Sequence, residues 1–171
     1  MAIQLNQAKG KIHNNNVTGN LNCLLIENST SLCEIHRNRF YNKLDSQENI
    51  IVRDSKNIDI RNNLIEHGNY GVLVETSAIP TCSADIINNI IRDASDRAID
   101  GTNAYLLIYN NAFIKDYIGI HANPGGWATI KYNLFADWGY KPTVNVSLDV
   151  GNIVDNSSYN WGTNDPYFTD I

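Results

Sequence analysis

Apolar and polar positions alternate in short bursts along this chain, and each burst stands in a fixed relation to an asparagine. The recurring unit is Ile-x-x-Asn-x-apolar: Ile12, Asn15 and Val17; Ile35, Asn38 and Phe40; Ile60, Asn63 and Ile65; Ile86, Asn89 and Ile91; Ile108, Asn111 and Phe113; Ile130, Asn133 and Phe135. A seventh copy keeps Asn152 and Val154 but has Asp149 in the leading place. Successive key asparagines lie 23, 25, 26, 22, 22 and 19 residues apart, a period of the kind that marks solenoids. Period-2 alternation around each asparagine predicts a strand on either side of it, and a second apolar run about ten residues later predicts a third. Those runs fall at 24–26, 50–52, 72–74, 98–100, 118–120 and 144–146.

Three short strands per copy, stacked copy on copy, describe an all-β chain: a parallel β-helix of about seven coils with an internal Asn ladder. It forms one domain over 1–171, with residues 1–11 as the candidate N-terminal cap and 155–171 as a closing segment. Leucine-rich repeats share the period but place leucines at fixed spacings, and the 12 leucines here are scattered. Helical repeats need a 3.6-residue periodicity that is absent.

The asparagine column has a physical reason. A sharp bend between strands asks for a residue that tolerates the left-handed region, which Asn does better than other residues bearing a side chain. Coils stack at ~4.8 Å, so each carboxamide can accept from one neighbour and donate to the other. The Ile three positions earlier and the apolar residue two later are expected to point inward and stack like on like, each burial worth ~1.5–3 kcal/mol.

Composition supports this reading. Asn (26) and Ile (22) together fill 48 of 171 positions, and both are poor helix formers. With 43% hydrophobic and 18% charged residues the chain is too apolar for disorder. A net charge of -5, with no two basic residues adjacent, gives no footprint for a phosphate backbone, so nucleic acid is not expected as a partner. Apolar runs are interrupted far short of the ~20 residues that span a bilayer, so no membrane association is expected. Met1 is followed by a polar stretch without the apolar core of a signal peptide, and localisation is left open. Cys23, Cys33 and Cys82 show no Cys-x-x-Cys spacing and read as small packed residues.

The repeats "IDIRNNLIEHGNYGVLVE" from Ile58 and "YLLIYNNAFIKDYIGIHAN" from Tyr105 resemble right-handed parallel β-helix repeats of the pectin-lyase-like superfamily. The resemblance covers nearly the whole chain. It implies right-handed coiling, three parallel sheets and an Asn ladder at the bend between the second and third. It also implies a saccharide groove on the outer face of the first sheet and its adjoining bends, in a superfamily of polysaccharide lyases, hydrolases and epimerases that also holds members without known activity. The close "NWGTNDPYFTDI", with Asp165-Pro166-Tyr167-Phe168, is similar to the end of many bacterial β-helix domains.

Candidate chemistry follows from placing the second apolar run in the first sheet. Val72, Val74, Ile99, Gly101, Ile120 and Ala122 then point inward, and Ile51, Leu73, Asp100, His121 and Asn145 point to solvent, one per coil. Asp100 and His121, 21 residues apart, become neighbours, and a carboxylate that orients an imidazole suits general acid or base work. They are the candidate catalytic pair. Arg53, Glu75, Arg97 and Asn145 are candidate substrate contacts, because a guanidinium forks a carboxylate and the others bind hydroxyls. Trp127 and Trp138, with Tyr140, sit in turn-like segments where they could form a platform for sugar rings or close an end of the barrel.

A second charged column, His67, Asp93, Lys115 and Asp137, lies four residues after the ladder and reads as cross-coil pairing on a solvent edge or as one wall of a polar groove. No metal ligands are expected. Calcium enters through the resemblance alone, and the clustered aspartates that would hold it are not found in the sequence. The resulting expectation is a β-helix that binds an extended, uronate-type polysaccharide, with cleavage or epimerisation unsettled. The alternative is a non-catalytic carbohydrate-binding or structural module, or a fragment of a larger protein, that associates with its own copies through exposed coil ends.

Overall fold

Each Ile-x-x-Asn-x-apolar unit folds as two short strands around a bend, and the run that follows supplies the third strand of the coil. The computed structural model describes residues 1–19, 21–77, 82–122, 127–145 and 151–155. It is an all-β, right-handed solenoid of about 6 turns. Among the described residues twenty strands fall into three parallel sheets of seven, six and seven strands, here named A, B and C in the order the chain visits them. The expected closing segment lies outside the described residues except for 155. Residues expected to form an N-terminal cap are instead part of the first coil: Ile3–Asn6 pairs with Leu24–Glu27 in sheet A, and Gly10–His13 with Cys33–His36 in sheet B. Their alternating apolar residues, Ile3, Leu5 and Ile12, extend the interior columns, and that favours a coil over a cap.

Register follows the repeat. Ile12, Ile35, Ile60, Ile86, Ile108 and Ile130 align across sheet B, and Val17, Phe40, Ile65, Ile91, Phe113, Phe135 and Val154 across sheet C. Both columns face inward, where Phe113 and Phe135 stack at 4.8 Å. All three cysteines are buried free thiols, and burial pushes Cys82 up to about 11.

The asparagines form an unbroken ladder between sheets B and C. Each Nδ2 donates to the Oδ1 of the next coil, from Asn15 through Asn38, Asn63, Asn89, Asn111 and Asn133 to Asn152, at 3.0–3.1 Å. The same Oδ1 accepts the backbone N–H of the preceding asparagine, and from Asn38 onward each Nδ2 also donates to an Ile carbonyl one coil back. One expectation is corrected. The left-handed residue at this bend is the one before the ladder asparagine: Asn14, Arg37, Asn62, Asn88, Asn110 and Tyr132 have φ of 52° to 59°, and Gly151 has 78°. The ladder residue is therefore chosen for its carboxamide and its predecessor for the turn, a position that Arg37 and Tyr132 can also fill.

In sheet A two consecutive residues of a strand turn inward, Gly71–Val72 and Gly119–Ile120 being examples. A Cβ on Gly71 would lie 2.5 Å from Ile91 Cγ2, and one on Gly119 would lie 2.7 Å from a Phe135 ring carbon. This double inward step sends the residue before it and the residue after it to the outer face, three positions apart.

Candidate functional site

That three-residue spacing assembles the outer face of sheet A. Tyr70, Arg97, Ile118 and Lys141 align in one column, and Leu25, Ile51, Leu73, Asp100, His121 and Val144 in the next. Arg97 Nη1 thereby reaches Asp100 Oδ1 at 2.9 Å, and the same oxygen accepts from His121 Nδ1 at 2.5 Å. A carboxylate at Nδ1 assigns the proton to that nitrogen and leaves Nε2 as an acceptor, 3.3 Å from Asn145 Nδ2. The structure thus brings together four of the candidate residues, Arg97, Asp100, His121 and Asn145, in one hydrogen-bonded chain.

Two details differ from expectation. Asp100 and His121 are 3% and 8% exposed, so they are enclosed and do not face solvent. On the same face Leu25, Ile51 and Leu73 form a second buried cluster with Tyr70, and the Arg97 guanidinium lies over the Tyr70 ring at 5.3 Å. Asn145 is not in the His121 column, which Val144 continues. It follows as a left-handed residue with φ 61°, which turns its side chain back toward His121.

Arg53 and Glu75 lie further along the same face, bound to each other. Arg53 Nη2 meets Glu75 at 2.6 Å and Nη1 meets Glu27 at 3.1 Å, and these bonds, led by that to Glu75, hold the guanidinium pKa above its ordinary value. Trp138 does not serve as a platform. It is 4% exposed and belongs to the core, in register with the buried Gly68, Ala94 and Asp116 of earlier coils. Trp127 is 72% exposed at the start of the strand Trp127–Lys131 in sheet B, beside Tyr105, and thus in a different sheet from Asp100 and His121.

The second charged column is better placed for a ligand. His67, Asp93, Lys115 and Asp137 each follow a sheet C strand and each has φ of 54° to 60°, so the backbone turns at the same point in four coils. Three coil spacings of ~4.8 Å give the column a length of roughly 14 Å. It lines an open groove of about 400 Å³ with Asp45, Ser95 and Tyr117. The segment between Asn42 and Asn49 is tied across one end, with Ser95 Oγ donating to the Asp45 carbonyl at 2.7 Å and Asn42 Nδ2 to the Glu48 carbonyl at 3.1 Å. The His67 ring stands edge-on to Tyr41 at 5.0 Å. Tyr117 and Tyr140 stack at 5.6 Å and 17°, with 48% and 46% of their surfaces exposed. Sequence reasoning did not single out Tyr117. The signal was there, since Tyr117 and Tyr140 are 23 residues apart, one coil.

Among the described residues one group of three metal-ligand types converges, Glu34, His36 and Asp59 on sheet B. Lys11 bonds Glu34 at 2.7 Å and Arg61 bonds Asp59 at 2.5 Å. Calcium takes six to eight oxygens, and two carboxylates already neutralised by cations do not fit it.

A family model described as "Right handed beta helix region" matches residues 1–165. Neither the curated proteins nor the solved structures contain a significant match.

Proposed function

The chain belongs to the right-handed β-helix family, and from that premise we propose that it binds an extended polysaccharide in the groove at the bends between sheets C and A. The observation that carries the reading is the exposed Tyr117–Tyr140 stack beside a groove whose polar wall repeats once per coil. Aromatic faces supply the apolar contact that sugar rings need, and His, Asp and Lys side chains supply donors and acceptors for hydroxyls. A ligand running along the solenoid axis meets a polar side chain at each of the four coils.

The reading stops at binding. The Asp100–His121 bond has the geometry of an oriented imidazole, and this favours proton transfer as a second reading. Yet both ring nitrogens are engaged and the side chain is one-tenth exposed, so a substrate reaches Nε2 only where Asn145 gives way.

Calorimetric titration with soluble oligosaccharides of several classes tests the proposal. Tyr117→Ala is expected to weaken binding roughly tenfold or more, whereas Tyr105→Ala, an exposed tyrosine on sheet B, leaves it unchanged. Equal loss in both variants, or none in either, sinks the groove assignment. Product release that disappears in His121→Ala would establish the second reading.

A further inference from the structure

We infer that the groove selects uncharged glycans and excludes polyuronates; this rests on the reading above and names its ligand class. Among the described residues the groove wall carries Asp45, Asp93 and Asp137 against one lining cation, Lys115, with Arg92 3.8 Å from Asp93. Carboxylates only accept hydrogen bonds, so they match sugar hydroxyls, which can donate. A uronate carboxylate is also an acceptor only, and set against this wall it meets three carboxylates for one ammonium. Lys115 stands one coil from Asp93 on one side and one coil from Asp137 on the other, so its charge is flanked by carboxylates along the column.

The forks that would otherwise grip a uronate are also taken. Arg53 is held by Glu27 and Glu75, Arg97 by Asp100, Arg61 by Asp59, and Arg39 and Arg92 both by Glu66. Five of the six arginines are thus committed to carboxylates of the chain, and the sixth, Arg37, sits at the B-to-C bend, away from the groove. The net charge of -5 adds long-range repulsion toward a polyanion.

The test compares a neutral hexose oligomer with a uronate oligomer of equal length, titrated at low salt into the full chain and into Tyr117→Ala and the double variant Asp93→Asn/Asp137→Asn. The neutral oligomer is expected to bind and to depend on Tyr117. The uronate is expected to bind at least roughly tenfold more weakly, with the gap narrowing in the double variant. A uronate that binds as tightly as the neutral oligomer overturns the selectivity, and if that binding is lost in Tyr117→Ala the groove itself still stands. Failure of every oligomer to bind overturns the polysaccharide reading beneath it.

Discussion

Asp116 occupies a place where its neighbours in the stack are Gly68, Ala94 and Trp138, all buried. The chain turns inward there after Lys115, and Asp116 Oδ1 accepts the Ala94 N–H at 2.8 Å while Oδ2 has no hydrogen-bond partner. Burial, with Asp93 nearby, drives its pKa well above the ordinary carboxylate value. A carboxyl whose folded-state pKa is raised binds more protons folded than unfolded. Its protonated form fits the fold fully below the unfolded pKa, and stability falls as pH rises from there toward the folded pKa. Asp116→Asn keeps the acceptor for Ala94 and removes the charge. The variant is expected to unfold at higher urea than the parent at pH 7, with the two converging near pH 4 or below, as chemical denaturation at several pH values would show. A variant less stable than the parent at pH 7 would mean that Oδ2 serves a purpose its surroundings do not reveal.

The ladder is the element that most resists substitution at its middle. Asn89 donates to Asn111, to the Ile60 carbonyl and to the Ile87 carbonyl, and accepts from both nitrogens of Asn63. Asn89→Ala strips partners from several buried groups, each costing ~1–3 kcal/mol, so a loss of at least ~3 kcal/mol in equilibrium unfolding is expected. Asn15→Ala at the exposed end is expected to cost under about 1 kcal/mol. Equal costs would refute the view that coil-to-coil carboxamide bonding is what the column is for. This column was legible in the sequence because its spacing is set by backbone stacking, which tolerates no slip. Neighbouring facts were not. In Asn62-Asn63, Asn88-Asn89 and Asn110-Asn111 two identical residues divide the turn and the ladder between them, and letters alone do not say which does which. Alternation placed Asp100 and His121 on the outer face, but Tyr70 and Arg97 join that face through a double inward step that a strict period of 2 does not contain. The same strictness put Asn145 where Val144 stands.

A solenoid has no single centre; its stability is close to a sum over coils and the interfaces between them, so it loosens from an end. The first coil is a weak one among those described. Ile3, Leu5 and Ile12 are only partly buried, while Ile35, Ile60, Ile86 and Ile108 one or more coils inward are fully so. The Ile3 and Gln7 amides donate to Cys23 and Glu27, and those of Ile90 and Ala112 donate to Asn63 and Asn89 deep in the stack. Native-state hydrogen exchange at low protein concentration should therefore show Ile3 and Gln7 exchanging about 100-fold faster than Ile90 and Ala112, a gap set by local opening of one coil. Uniform protection would mean that the coils open together and that the interfaces outweigh the coils they join. Slowing of the first coil's amides as protein concentration rises would show instead that these outermost strands pair with another copy, the outcome an edge strand invites.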